Sequence, residues 1–392
     1  MLVKSQLAYT APDDYPKRDM RQTTYDIAVL GATPAGFAAG GYLAGKHKTV
    51  AIIDAPRQAC ESPLADWVPK GFFQTPHLDK ALAQSAGATP FSCVQYHNSD
   101  FSKQVDYHQR GAAGHVLHAE HLRKAMRHWA EKAGAFVTRP QKAHPIIHLQ
   151  EDTVTVVGTP HITARYLLIA HSRPNDVIAD LALPAQNIPF SPMVIAALDV
   201  PLPTKVAKAL GGTLHIIDTP DRSDLGMLFI ADTTLHVRLI STSPASGNRS
   251  AELSALLARI QSSGLLPMDL PLAKAKGAVW HPPAGVALEL ETHVAKRCLL
   301  TGTAGGFVES ITGQTLLPSI RSALLSADMI LLADKADDPQ EALIQFKSAW
   351  RREMADYLRP PNTSLQMLLP LLFVNQQIAA KFTKALLYGE SM

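Results

Sequence analysis

The turn Gly31-Ala32-Thr33-Pro34-Ala35-Gly36 follows an apolar run, Tyr25-Asp26-Ile27-Ala28-Val29-Leu30, and opens an alanine-rich segment from Pro34 to Gly45. A second apolar run, Thr49-Val50-Ala51-Ile52-Ile53, closes on Asp54. The order reads strand, turn, helix, strand over about thirty residues, as a right-handed crossover between parallel strands requires. The glycine pattern that suits such a turn is GxGxxG. Its first glycine allows the tight turn, its second lets the backbone approach a pyrophosphate, and its third lets helix and strand pack closely. Gly31 and Gly36 supply the first and third. Thr33 stands at the second, where its hydroxyl can itself meet a phosphate oxygen. The free amides at the helix start favour negative charge. Asp54 lies 23 residues after Gly31, where an acid can accept hydrogen bonds from ribose hydroxyls. Gly31, Thr33, Pro34, Ala35, Gly36 and Asp54 are therefore the first candidate residues for a dinucleotide.

The rest of the chain fits around this unit. Residues 1–24 are polar and mixed in charge and read as a flexible arm. The stretch from Ala55 to about Gly114 is irregular. A helix is expected over 119–133, with Leu122, Ala125, Met126 and Trp129 on one face. Phe136 and Val137 suggest another parallel strand. Residues 146–148, 153–157 and 162–164 alternate like a small antiparallel meander, and Tyr166 to Ala170 returns to the main sheet. Strands at 213–217, 226–231 and 234–241 predict a mostly antiparallel sheet, with a helix over 250–263. One more strand at 298–301 precedes helices at about 314–334, 338–357 and 364–387. The expectation is an α/β fold: a Rossmann-type binding domain in two parts, 25–174 and 291–335. A substrate-side antiparallel region, 175–290, is inserted between them, and a helical region, 336–392, follows.

Composition bounds the function. The chain has 392 residues, of which 46% are hydrophobic and 18% charged, with a net charge of +3. So small and scattered a charge argues against nucleic-acid binding. Cys60, Cys93 and Cys298 form no CxxC pair, so no disulfide framework is expected and a reducing cytoplasm fits. No secretory signal is read at the N-terminus. The apolar run from Leu368 to Val374 is far shorter than a membrane span and contains Pro370, which leaves room only for a peripheral membrane contact. His115, His118 and His121 fall three apart, but a strand end would put the first two on opposite faces, so no metal site is expected. Neither a G-x-S-x-G elbow nor a P-loop lysine is present.

A second glycine-rich segment, Gly302-Thr303-Ala304-Gly305-Gly306-Phe307-Val308-Glu309-Ser310-Ile311-Thr312-Gly313-Gln314, follows the late strand and precedes a helix. It resembles the second FAD motif of the geranylgeranyl reductase-like flavoproteins, whose pattern runs G-D-A-A-G-F and then P-x-T-G-E-G. Their wider class includes p-hydroxybenzoate hydroxylase-like monooxygenases and flavin-dependent halogenases. Cys60-Glu61-Ser62, the run from His115 to Gly134, and Phe373-Val374-Asn375 agree with it, so the resemblance covers most of the chain from Tyr25 onward.

The resemblance implies FAD, with its pyrophosphate over Gly31 to Gly36 and its ribityl chain and flavin N1/O2 side against the second loop. Gly302, Thr303, Gly306, Gly313 and Gln314 become contact residues, and the helix from about Gln314 points its N-terminus at the flavin. Arg57, close to Cys60, and His118 complete the implied set. Four departures stand out. Thr303 replaces the family Asp, and His118 with Ala119 replaces an Arg. Ala170-His171-Ser172-Arg173-Pro174 replaces a G-A-D-G-like segment, and Thr33 replaces the second glycine. The implied activity is an FAD-dependent oxidoreductase passing hydride to or from an apolar, unsaturated small molecule, with NAD(P)H as a transient reductant. Cys60, Glu61 and Glu309 are the acid–base candidates near the flavin face. The alternatives are an oxygen-using monooxygenase or halogenase, and a cofactor-free relative acting as a binding protein.

Overall fold

The computed structural model describes residues 24–390 apart from 55–59, 140–145, 158–160, 172–173, 182, 184–192, 221–223, 243–247 and 361–364. The opening unit is β1 (Thr24–Leu30), α1 (Pro34–Gly45) and β2 (Val50–Ile53). β1 and β2 pair in parallel, Ala28 beside Ala51 and Leu30 beside Ile53. From Ile27 to Leu30 and throughout β2 the strands are apolar and buried on both faces, as parallel strands covered by helices must be. Close approach explains the two glycines. A Cβ on Gly36 would fall 1.9 Å from the Gly31 carbonyl oxygen, so only glycine lets α1 sit down on the strand exit. Gly31 has φ +121°, and a Cβ there would fall 2.3 Å from the Cβ of His171.

The irregular stretch holds β3 (Ala65–Pro69), α2 (Leu82–Ser85), β4 (Thr89–Phe91), β5 (Cys93–His97), β6 (Gln104–His108) and β7 (Gly114–His118). α3 (Ala119–Lys132), β8 (Phe136–Thr138), β9 (Ile146–Leu149), β10 (Val154–Val157), β11 (Ile162–Ile169) and α4 (Pro174–Asp180) follow. β11 is one strand where the sequence suggested two: it pairs antiparallel with β10 through Ile162 to Ala164 and parallel with β1 as far as Ile169.

The remaining elements are β12 (Val194–Pro201), α5 (Thr204–Leu210), β13 (Thr213–Asp218), β14 (Asp224–Ala231), β15 (Thr234–Ser241), α6 (Arg249–Ser262) and β16 (Lys276–Trp280). Then come α7 (Val286–Glu289), β17 (Val294–Ala295), β18 (Cys298–Leu300), α8 (Leu316–Ala333), α9 (Pro339–Ile344), α10 (Phe346–Leu358), α11 (Leu365–Leu372) and α12 (Gln376–Tyr388). The expected helix over 338–357 is therefore two, α9 and α10. That over 364–387 is also two, because Asn375 caps a new helix by accepting from the Gln377 amide.

The main sheet runs β17-β18-β11-β1-β2-β8, with β18, β11, β1, β2 and β8 parallel and β10 and β9 hanging from β11. The second sheet runs β16-β12-β15-β14-β13-β5-β6, and a small third sheet runs β3-β7-β4. The second sheet thus takes β5 and β6 from residues before 174. β5 pairs in parallel with β13, Cys93 beside Thr213, a contact 120 residues apart that no local pattern announces. α1, α3 and α8 cover one face of the main sheet. α8 is long and apolar enough to cross a membrane by length and composition, and here most of it is buried in that core. One face of the second sheet is covered by α11 and α12, the other by α6.

Candidate functional site

The first turn sits at the C-terminal edge of the parallel strands, where helix amides and strand ends converge. Thr33 caps α1: its Oγ1 accepts from the Gly36 amide at 3.2 Å and donates to the Ala170 carbonyl at 3.1 Å. A helix start has four amides without helical partners. Here they are those of Thr33, Pro34, Ala35 and Gly36: Pro34 has none to offer and Gly36 gives its own to Thr33 Oγ1, while Phe37 makes the first helical bond, to the Thr33 carbonyl. Among the described residues the Thr33 and Ala35 amides remain for a ligand.

Asp54 follows β2, as expected, but its Oδ2 already accepts from Arg123 and from Arg139, each at 3.1 Å. Arg123 Nε also donates to the Ala32 carbonyl at 2.9 Å, so this guanidinium bridges the turn and the acid. Asp54 Oδ1 takes no protein donor among the described residues. Arg57 lies outside the described residues. His118 precedes α3 and sets its ring edge-on to His121, 5.2 Å between centroids. The residue that α3 sends to the first turn is Arg123, further along the helix.

The second loop reaches the first. A Cβ on Gly302 would fall 3.1 Å from the Cβ of Ala35 and 3.3 Å from the Ala170 carbonyl oxygen. Ser322 on α8 ties the loop down, its Oγ within 3.0 Å of both Thr301 Oγ1 and the Gly302 amide. Thr303 is fully buried and its Oγ1 has no partner among the described residues; Thr315 Oγ1 is in the same condition. Gly306, at φ +73°, turns the chain toward Phe307. His293 braces this bend: its Nε2 lies 3.0 Å from the Gly305 carbonyl, and its ring packs against Phe307, Phe346 and Trp350. Burial pushes the His293 imidazole down to about 4, so it is neutral and Nε2 carries the proton that it donates.

Glu309 serves the loop itself. Its carboxylate accepts from the Ile311 amide at 2.6 Å and from the Thr312 amide and hydroxyl at 2.7 Å. Burial raises its pKa against the pull of these bonds. With both oxygens so engaged it is a positioning residue, which displaces it from the acid–base candidates. Gln314 Oε1 accepts from the Leu317 amide in the first turn of α8 at 3.2 Å, and its Nε2 donates to the Trp67 carbonyl at 3.1 Å. A Cβ on Gly313 would fall 2.6 Å from Ile195 Cδ1 and 2.8 Å from Met193 Sδ, so the far end of the loop abuts the second sheet.

The segment from Cys60 to Trp67 meets the end of the second loop, where Gln314 bonds the Trp67 carbonyl. Cys60 is buried. Glu61 keeps part of its surface accessible, yet its Oε1 is sealed and has no partner among the described residues. Burial pushes its carboxyl up to about 7, with Arg123 opposing and Asp66 reinforcing the shift. Arg238 on β15 holds the segment to the second sheet. Fully buried, it donates to Asp66 Oδ1 at 2.9 Å, the Ala65 carbonyl at 2.8 Å, Ser62 Oγ at 3.3 Å and His236 Nε2 at 2.9 Å. His236 Nδ1 is bonded in turn to Asp199. Phe229 and Trp280 flank the guanidinium.

The structure therefore brings Ala35 of the first turn against Gly302 of the second loop, with Thr33 and Gly302 both at the Ala170 carbonyl, and carries Gly313 to the second sheet and Gln314 to Trp67 on β3 of the third. It adds Arg123, His293 and Arg238, none of which the sequence singled out. Such an arrangement suits an elongated ligand, anionic at the first turn and rich in hydroxyls along the second loop.

No protein-family model matches the chain, and no curated protein matches it by sequence. Solved structures do. A geranylgeranyl bacteriochlorophyll reductase-like protein from Thermoplasma acidophilum superposes with a TM-score of 0.72 at 14% identity, over 94% of this chain and 97% of that one. The flavin-dependent brominase Bmp2 gives 0.67 at 13% identity, over 94% of each chain. The p-nitrophenol 4-monooxygenase PnpA from Pseudomonas putida gives 0.66 at 13% identity, over 93% and 95%. The chain thus has the Rossmann-type fold of these proteins, with the added antiparallel sheet and C-terminal helices.

Proposed function

We propose that this chain is an FAD-dependent oxidoreductase acting on an apolar, unsaturated small molecule. The observation that carries the reading is the meeting of Ala35 with Gly302 beside a buried, unpartnered Thr303 hydroxyl. A buried polar atom without a partner costs about 1–3 kcal/mol, which a ligand hydroxyl at Thr303 would recover. Thr303 Oγ1 and Thr315 Oγ1 both lie on the segment that would run beside a ribityl chain and a flavin pyrimidine ring, whose hydroxyls and ring heteroatoms are suitable partners. Asp54 Oδ1 is open to a ribose hydroxyl. The residues present therefore fit FAD.

Ala35 and Arg123 would hold the diphosphate, Asp54 the adenosine ribose, Thr303 the ribityl hydroxyls, and the start of α8 the electron-rich edge of the flavin ring. Bound FAD would supply the two-electron transfer. Glu309 and His293 keep the second loop in shape, and Arg238 keeps the segment from Ser62 to Asp66 against the second sheet. We assign the electron supply to a transiently docked NAD(P)H and the location to the cytoplasm. The exposed Met367, Leu371 and Val374 on and after α11 support a peripheral membrane contact.

A second reading, a cofactor-free binding protein, draws on the Thr33 cap and the double pairing of Asp54. The purified protein separates the two. Yellow protein that releases FAD on denaturation and is bleached by NADH or NADPH without oxygen supports the enzyme. Colourless protein that stays colourless after incubation with excess FAD overturns it. Product formation only in the presence of oxygen would replace the reductase with a monooxygenase or halogenase.

A further inference from the structure

We propose that Arg238 anchors the substrate: the unused edge of its guanidinium, on the face of the second sheet that the second glycine-rich loop touches, takes a neutral carbonyl oxygen of an otherwise apolar molecule. The inference rests on the oxidoreductase reading above and deepens it by naming the substrate class, an unsaturated ketone.

Three observations lead to it. First, part of the fork is unused. Arg238 Nε donates to His236 Nε2, and Nη2 serves Ser62, Ala65 and Asp66. A guanidinium has five N–H donors, and no described residue accepts from the two on Nη1. Nη1 is not one of the sealed atoms that lack partners, so the 1% of the side chain that stays accessible includes it. Second, the surroundings are aromatic. The Phe229 and Trp280 rings lie 5.7 and 5.3 Å from the guanidinium carbon. Trp280 brings its own indole N–H, buried and without a partner among the described residues. Third, the place adjoins the candidate site. Arg238 stands opposite Ala197 on β12, and Ile195, two residues earlier and so on the same face, stands opposite Trp280. Ile195 Cδ1 is the atom that a Cβ on Gly313 would meet at 2.6 Å.

Charge selects the ligand class. His236 Nε2 accepts from Arg238, so the ring proton is on Nδ1, facing Asp199, and burial keeps the ring neutral. Arg238 is then one positive charge against two negative ones, Asp66 and Asp199. A carboxylate would bring a third negative charge into a group already shut off from water. A carbonyl oxygen brings none, and it accepts from a guanidinium in a charge-assisted bond.

The test is titration calorimetry, with and without FAD, using benzalacetone, its hydrocarbon analogue with a methylene in place of the oxygen, and cinnamate. The ketone is expected to bind about ten- to a hundredfold tighter than the hydrocarbon, the worth of a hydrogen bond to a charged group, and tighter than cinnamate. Arg238→Lys keeps a charge beside Asp66 without the fork, and should cut the preference to below about threefold. A second measurement needs no variant: the infrared carbonyl band of the bound ketone, isotope-labelled at that carbon, should lie at or below its frequency in water. Equal affinity for ketone and hydrocarbon, tighter binding of cinnamate, or a band at its position in hexane overturns the anchor. So does a folded Arg238→Lys with the full preference. Flavin binding, followed separately by FAD absorbance, stands or falls apart from these results. A ketone preference in a protein that binds no FAD keeps the anchor and removes the flavin.

Discussion

Replacing Arg238 by Met should be the most damaging single change beside the site, for reasons that follow from its surroundings. The guanidinium is fully buried and satisfies Asp66, Ala65, Ser62 and His236 at once. Asp66 is itself buried, and without Arg238 its Oδ1 would keep only the Trp67 amide, at 2.8 Å. Breaking a buried ion pair from one side costs about 3–5 kcal/mol, because the remaining charge has lost both water and partner. Methionine fills much of the space between Phe229 and Trp280, so the loss reports mainly the stranded carboxylate. Urea unfolding of wild type, Arg238→Met, Asp66→Asn and the double variant measures it. Each single variant should fall by several kcal/mol, and the double should fall by less than their sum, with a coupling of about 1–3 kcal/mol. Additive losses, or single losses below about 1 kcal/mol, would refute the argument that this pair fastens the 62–66 segment to the second sheet.

Three further outcomes follow. Gly36→Ala places a methyl 1.9 Å from the Gly31 carbonyl oxygen; the backbone must give way, at about 1–3 kcal/mol or more, and an unchanged melting curve would contradict this. Thr303→Val keeps the shape and deletes an unpartnered hydroxyl: the protein without ligand should be as stable or up to about 1 kcal/mol more stable, while FAD binds about three- to tenfold more weakly. The same sign for both changes would count against the assigned contact. Glu61 has its carboxyl pushed up from 4.5 to about 7. Its contribution to stability is thus complete below pH 4.5 and is lost as the pH rises through about 7. Unfolding free energies of wild type and Glu61→Gln, measured across that window, should diverge as the pH rises, with wild type falling; parallel curves would show that Glu61 does not titrate there.

What the sequence made legible was local. Gly31, Gly36 and the apolar runs around them announce β1-α1-β2 because each signal lies within one crossover. α1 begins and ends where the alanine-rich segment does. The strands β3 to β6 were illegible because they are short and are defined by partners far along the chain, as β5 is by β13. The break between α11 and α12 is visible only once Asn375 is seen to cap. In the site, Gly302 and Thr303 could be placed beside the first turn, since a motif carries its own geometry. Arg123 could not, because an arginine on the polar side of an amphipathic helix looks like any solvated residue until Asp54 and Ala32 are seen to hold it. Glu309 misled in the opposite sense: an acid in a glycine-rich loop suggests proton transfer, whereas its oxygens are engaged by Ile311 and Thr312.

The central claim is that one ligand spans both glycine-bearing segments. Amide hydrogen exchange of the protein with and without added FAD tests it most directly. The account predicts slowed exchange in two separate stretches, at Ala35 and from Gly302 to Gln314, with little change in α6 or α12. Protection confined to one of those stretches, or none at saturating FAD, would contradict it.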